Sequence, residues 1–419
     1  MILIVGAGLA GLTCAKVLHE AGREVLVVES EERLGGRVRT DSHPQGYRLD
    51  HGFQVLFTAY PAARRHLDYD ALHLRRFDSG ALISHNGRRY VLGDPVRNPL
   101  DALSSAYSPV ATPLDKLLTV LMKYELGRQS VEELLSQDSF TTIEYLRAEG
   151  FSERYIEYFL RPFLGGILLN RDLSTSESVF RFVYSMLAKG DVVIPAWGMG
   201  EIAEQLANGL PRGAVRCGRR VVALTRSNGK VTGVRTRDEE IEADAVVSAV
   251  SAPQAKQLSD VAAPLDEVGC TTLYFATDSP LRWGRKLLLN ADSRSFVSHC
   301  CSISNVAPNC APPEKHLLSA VVLGTPDLED DLIAELALAD IDRMSPDSNV
   351  KSAELLAIYR IPHAQTAQPP GFRSKLITDV NPEPGLYLAG DYLRSSSING
   401  AMESGEATAH AILAGVPQT

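Results

Sequence analysis

The sequence predicts an α/β fold, and three observations predict it. The apolar run Ile2-Leu3-Ile4-Val5 leads into Gly6-Ala7-Gly8-Leu9-Ala10-Gly11 and then into a helical stretch that ends near Ala21-Gly22. A second apolar run, residues 24–28, stops at the carboxylate of Glu29. At the other end of the chain, residues 386–389 run into Gly390-Asp391, a polar loop and a helix opening at Asn399-Gly400-Ala401. A helix N-terminus exposes unpaired backbone N–H groups that attract anions and electron-rich ring edges. The two strand-glycine-helix units can therefore hold the two ends of one long ligand.

The first unit has the strand, GxGxxG, helix order of a Rossmann-type dinucleotide site. Gly6 permits the tight turn, Gly8 lets a pyrophosphate approach the backbone beside Leu9 and Ala10, and Gly11 allows the helix to pack closely on the strand. Glu29 stands where a carboxylate accepts hydrogen bonds from ribose hydroxyls, and an acid there favours an unphosphorylated ribose.

The rest of the composition is that of an ordinary globular protein. With 419 residues, 45% hydrophobic and 22% charged, the chain can bury a large core or form two domains. Its net charge of −9, from 42 basic and 51 acidic residues, gives no reason to expect a nucleic-acid partner. The cysteines (Cys14, Cys217, Cys270, Cys300, Cys301, Cys310) show no CxxC spacing and are read as reduced thiols of a cytosolic-type compartment, with Cys300-Cys301 as strand filler. The stretch MILIVGAGLAGL lacks the basic residues of a signal peptide and is read as structure, and no run is long and apolar enough for a membrane span. Residues 117–122 and 155–169 are apolar enough for core packing, a pocket wall or a membrane-surface helix.

After Glu29 the chain reads Ser-Glu-Glu-Arg-Leu-Gly35-Gly36-Arg37, where two glycines bring backbone close to a ligand and Arg37 can offer a cation to phosphate. This resembles the glutamate-to-GGR signature of the FAD enzymes in the flavin amine oxidase, protoporphyrinogen oxidase and carotenoid (phytoene) desaturase superfamily. Glu31 departs from the basic or polar residue common there. Asp50-His51-Gly52-Phe53-Gln54 is similar to the family segment that passes beneath the flavin ring, and residues 195–210 to its Gly-Met return helix. Residues 220–224, with Val222, 229–234 and 243–249 are similar to the sheet and strand that cover the adenine. Gly390, Asp391, Ser397, Ile398 and Ala401 match the segment that holds the pyrophosphate and ribityl chain and presents a helix to the isoalloxazine. The resemblance implies FAD as cofactor, a glutathione-reductase-like, discontinuous FAD-binding domain (1–57, 190–266 and 376–419) and an α+β substrate domain (58–189 and 267–375). Within the latter, Asn86-Gly87 predicts a hairpin, helical periodicity runs from Leu114 to Leu187, strands fall at 271–276, 287–289, 317–323 and 353–359, and a helix lies near 328–344. A competing reading takes Gly198-Met-Gly200-Glu-Ile-Ala203 with Arg219-Arg220 as a second, NADP-binding turn.

A flavin accepts hydride itself, so the protein has mainly to orient, enclose and tune it. No Ser-His-Asp set, HExxH or cysteine–histidine cluster with metal spacing is present, so no metal is expected and no side chain is assigned a catalytic role. His51 and Gln54 are candidates for ring contacts. Amine oxidases of the superfamily carry an aromatic residue before the C-terminal Gly-Ala and a lysine near the flavin. Here the loop reads Ser396-Ser397-Ile398-Asn399-Gly400-Ala401 and the strand Cys270-Thr-Thr-Leu-Tyr-Phe-Ala276, with no ring in the first and no lysine in either. The expected function is thus FAD-dependent, desaturase-like oxidation of a hydrophobic small molecule. The alternatives are amine oxidation at a C–N bond and a structural flavoprotein acting as a binding module. The expected location is cytoplasmic, with peripheral membrane contact left open. Oligomeric state and electron acceptor are not legible.

Overall fold

The computed structural model describes residues 1–93, 108–259, 261 and 266–415, so the expected segments 58–189, 190–266 and 376–419 each include a stretch outside the described residues. Along the chain, strand β1 (Ile2–Val5) feeds helix α1 (Leu9–Glu20) and strand β2 (Val25–Val28). The hairpin β3 (Ala81–His85) and β4 (Arg88–Leu92) follows, then helices α2 (Pro113–Arg128), α3 (Arg161–Leu168), α4 (Glu177–Lys189) and α5 (Gly200–Asn208). Strands β5 (Val215–Arg216), β6 (Ala245–Ser248), β7 (Glu267–Thr277), β8 (Leu287–Asn290), β9 (His299–Ser302) and β10 (His316–Leu323) lead to helix α6 (Asp330–Met344). Strand β11 (Glu354–Thr366), strand β12 (Leu386–Leu388) and helix α7 (Ile398–Gly415) complete the set that positions the site.

Two sheets organise these elements. A parallel sheet in the order β5-β2-β1-β6-β12 carries both glycine turns, and β1, β2 and β6 are buried at every position. Continuous burial is what a parallel strand covered on both faces requires, and it is why these segments read as unbroken apolar runs. A seven-stranded sheet in the order β11-β7-β10-β9-β8-β3-β4 is antiparallel except for the β8–β3 pair. Its β3–β4 turn has Asn86 at φ +50° and Gly87 at φ +71°, the left-handed pair that a two-residue hairpin needs.

The competing second nucleotide turn is not formed. Residues Val192–Ile194 pair antiparallel with Leu56–Phe57 and Arg75–Arg76 in a small separate sheet, outside the parallel one. Helix α5 is instead tied back to the N-terminal segment, since Asp50 Oδ1 accepts from Met199 N at 2.9 Å and Thr40 Oγ1 accepts from Gly200 N at 2.7 Å.

Several sequence boundaries move, among them the start of β7, which lies at Glu267 rather than at 271. Helix α6 begins at Asp330 rather than near Leu328, and β11 runs through Pro362 to Thr366 instead of stopping near Tyr359. A proline removes a ladder donor and is tolerated only at a sheet edge or a bulge. Strand β11 supplies both: it is the last strand of its sheet, and its register against β7 shifts between Val268 and Cys270. Cys300 and Cys301 sit buried in β9, and all six cysteines are unpaired.

Asp50 gives the fold a pH dependence. Burial pushes its carboxyl up to about 6, opposed in part by the bonds from Thr40 Oγ1 (2.6 Å) and Met199 N. The folded state therefore binds this proton more tightly than the unfolded chain. Its contribution to stability is complete below the unfolded pKa near 3.8 and is lost as pH rises through about 6. Both bonds end on Oδ1, an atom that asparagine retains. Urea midpoints from pH 4 to 7 are expected to fall less steeply for Asp50→Asn than for the wild type; parallel curves would remove Asp50 as the source.

Candidate active site

One cavity of about 1390 Å³ runs from the first glycine turn, past the N-terminus of α7, to the inner face of the seven-stranded sheet. Cofactor and small-molecule sites usually occupy about 300–1,000 Å³, so this space admits a dinucleotide and a second molecule beside it. Gly6, Gly8, Leu9, Ala10, Glu29, Gly35, Gly36, Arg37, Phe53, Gln54, Val222, Gly390, Asp391, Ser397, Ile398 and Ala401 all line it. The structure thus brings the N-terminal glycine turn and the segment 390–401 to one groove.

Gly11 and Gly52 do not line the cavity, and their roles are in the backbone around it. A Cβ at Gly11 would stand 2.0 Å from Gly6 O, and one at Gly52, where φ is +104°, would stand 2.8 Å from Ile361 Cδ1. At Gly8, by contrast, a Cβ would meet nothing within 4 Å. That glycine is spared a side chain by no protein neighbour, which fits a ligand pressed against its backbone.

Helices α1 and α7 cross where a Cβ on Gly405 would lie 2.1 Å from Ala10 O, so the two backbones touch. Their N-termini therefore open on the same groove. Ser397 shapes the second one: its Oγ accepts from Gly400 N at 2.9 Å and its carbonyl from Ala401 N at 3.0 Å.

Glu29 is buried, with Oε2 accepting from Ala7 N at 2.7 Å and Oε1 from Glu31 N at 3.0 Å. Glu31 itself points outward between Arg39 (3.9 Å) and Arg220 (3.7 Å), so its unusual charge is met by two cations. Gln54 donates to Arg37 O at 2.6 Å and to His51 O at 3.2 Å, while its buried Oε1 has no partner. An orphaned buried acceptor at a cavity wall invites a donor from an occupant.

Arg37 and Asp391, distant in sequence, form a two-point pair with N–O distances of 3.0 and 2.6 Å, and Ser396 Oγ donates to Asp391 at 2.9 Å. Burial alone would raise the Asp391 carboxyl, but the charge and bonds of Arg37 and the bond from Ser396 hold it below the ordinary carboxylate range. Reciprocally, the Asp391 charge raises the Arg37 guanidinium. The cation expected for phosphate is thus already fixed by the aspartate expected for the ribityl chain, and the pair links the two ends of the groove.

Beyond these groups most of the wall is apolar, with Arg76, Asp78, Lys116, Lys123 and Asp191 as charged exceptions. Cys270 (β7), Val321 (β10), His299 (β9) and Leu289 (β8) face it from the sheet. Phe159, Phe163, Leu164 and Ile167 face it from residues 156–168, and Val120 and Met122 from α2. Both apolar segments singled out in the sequence are pocket walls. His51 also lines the cavity, its ring 5.1 Å from that of Tyr359. His299 was missed by sequence reading, and the available signal was one imidazole inside the buried strand His299-Cys-Cys-Ser302. Among the described residues no cluster of His, Cys, Asp and Glu could hold a metal ion.

This groove and its two-ended construction define a flavin-binding oxidoreductase architecture, and the comparisons agree. The chain belongs to the family of flavin-containing amine oxidoreductases, which matches residues 9–413. It is 23% identical to the 15-cis-phytoene desaturase of Synechococcus elongatus, over 99% of this chain and 96% of that one. It is 27% identical to L-amino acid oxidase Lm29 of Lachesis muta, over 57% of this chain and 46% of that one. Among solved structures, an oxidoreductase from Methanosarcina mazei has a TM-score of 0.75 at 20% identity, covering 99% of each chain. The protein is an FAD-dependent oxidoreductase.

Proposed function

We propose that the protein desaturates a long, largely apolar carbon skeleton. Bound FAD would supply the two-electron acceptor for a hydride from one carbon, while the proton lost from the neighbouring carbon would pass to solvent, leaving a new double bond. In this reading Glu29 holds the adenosine ribose, the N–H groups beginning α1 with Gly8, Gly35 and Gly36 hold the pyrophosphate, and the Arg37–Asp391 pair spans the middle. Phe53 and Gln54 lie along the ring with Gly52 shaping the turn behind them, Ser397, Ile398 and Ala401 offer it the N-terminus of α7, and Val222 flanks the adenine. Residues 1–57, 190–266 and 376–419 then act as the FAD-binding domain and 58–189 with 267–375 as the substrate domain.

The observation that carries the substrate class is the predominance of apolar side chains in the cavity beyond the nucleotide loops, although Arg76, Asp78, Lys116, Lys123 and Asp191 also line it. An apolar skeleton needs a greasy slot and little else, whereas an amine needs a group to orient it. Residues 394–401 contain no aromatic ring, and β7 contains no lysine. The similarity to a phytoene desaturase over the whole chain supports the same reading.

Such a substrate dissolves in lipid, and α2 supplies a matching surface. Leu114, Leu117, Val120, Leu121 and Tyr124 are each more than half exposed along this helix, and Val120 also lines the cavity. Among the described residues no helix is long and apolar enough to cross a membrane, so the proposed contact is peripheral, from a cytoplasmic location consistent with six free thiols. Anaerobic reduction of bound FAD by lipophilic donors but not by small amines tests the proposal.

A further inference from the structure

We propose that His299 contacts the substrate directly, with Nε2 hydrogen-bonding a hydroxyl or carbonyl oxygen set part-way along the otherwise apolar skeleton. The inference rests on the desaturation reading and narrows its substrate class from a plain hydrocarbon to an oxygenated one. His299 is only 4% exposed and lines the cavity from the seven-stranded sheet. Its neighbours in register are Val321 on one side and Leu289 on the other, so it interrupts an apolar row. The ring is held on three sides. Phe53 meets it edge-on at 5.3 Å between centroids, Ser298 Oγ lies 3.4 Å from Nδ1, and Gly166 on α3 leaves room for it, since a Cβ there would stand 2.7 Å from Nδ1. Phe53 also belongs to the segment assigned to the flavin ring, so the imidazole stands beside the residues expected to face that ring.

With Nδ1 beside Ser298, Nε2 has no hydrogen-bond partner among the described residues. A polar atom on a largely apolar wall is met only by water or by a polar group of the occupant, whereas leucine or phenylalanine would leave the wall uniformly apolar. An occupant bearing one polar atom in register with it gains a hydrogen bond and a fixed position along the slot. Burial pushes the imidazolium down to about 4, so at neutral pH the ring is uncharged and offers one N–H and one lone pair. A hydroxyl, which both donates and accepts, meets either tautomer.

The test compares nonane with the positional isomers of nonanol as ligands for the FAD-loaded protein, reading Kd from perturbation of the flavin's visible band. In an apolar slot without a partner the alcohols bind more weakly than the alkane, because they must leave water. The expected result is that at least one isomer binds about tenfold more tightly than nonane, the factor of a single net hydrogen bond. The His299→Phe protein, with its FAD retained, is expected to lose that preference. Nonane binding as tightly as every isomer in the wild type, or His299→Phe keeping the alcohol preference, would overturn the proposal. The first comparison needs no variant. Because binding is read without turnover, the result stands apart from a failure of lipophilic donors to reduce the flavin, which would count against the desaturation reading instead.

Discussion

Gly11→Val protein is expected to purify colourless. A Cβ at position 11 would overlap Gly6 O at 2.0 Å and crowd Ala249 Cβ at 3.1 Å, so α1 must retreat from the loop by about 1 Å before any γ-carbon is accommodated. The N–H groups at the start of α1 would then miss the pyrophosphate. Each charge-assisted bond contributes about 1.5–3 kcal/mol, so losing two weakens FAD at least about a hundredfold. Gly8→Val separates folding from binding. Its Cβ has open space in the protein itself, so the flavin-free variant is expected to unfold at nearly the wild-type urea concentration while holding no FAD. Visible flavin absorbance per chain, with urea midpoints of the flavin-free proteins, checks both. A yellow Gly8→Val protein would show that no ligand passes against that glycine.

Asp391→Ala is expected to cost nearly as much from the other end of the chain. The carboxylate is buried, holds Arg37 at two points and fixes the loop before α7 through Ser396, so its loss frees three segments together. Arg37 is 41% exposed and regains water, which limits the penalty to the fold. The groove fares worse, because the guanidinium and the N-terminus of α7 both lose their setting. FAD affinity is expected to fall about tenfold to a hundredfold, the worth of one charge-assisted contact. Asp391→Asn keeps the shape and is expected to fall between. Equal affinities for all three proteins, measured by quenching of flavin fluorescence, would detach the C-terminal unit from the cofactor.

The glycine turns were legible in the sequence because they are local: strand, turn and helix lie within a few residues. Helix α7 and the β3–β4 hairpin were legible for the same reason. What escaped depends on partners distant in sequence. Strand β11 passes Pro362 only because it is an edge strand with a bulge against β7, which no local pattern reveals. The Arg37–Asp391 pair joins residues that were read separately, one for phosphate and one for the ribityl chain. Gly405 sits on α7 with no local reason for being glycine, and its reason is the backbone of α1 across the interface. His299 drew no notice in the sequence, because what sets it apart is the cavity it lines, and that is assembled from elements distant in the chain.

The central claim, oxidation of a lipophilic carbon skeleton, meets its most direct test in anaerobic mixing. Oxidised holoprotein is mixed, without dioxygen, with primary and secondary amines in one series and with detergent-dispersed polyenes and porphyrinogens in another, following loss of the flavin's visible absorbance. The account predicts bleaching by at least one lipophilic donor and rates with every simple amine at least about a hundredfold lower, the cost of a poorly positioned donor. Rapid bleaching by a simple amine, with none by any lipophilic compound, would contradict it and make the C–N bond the site of oxidation.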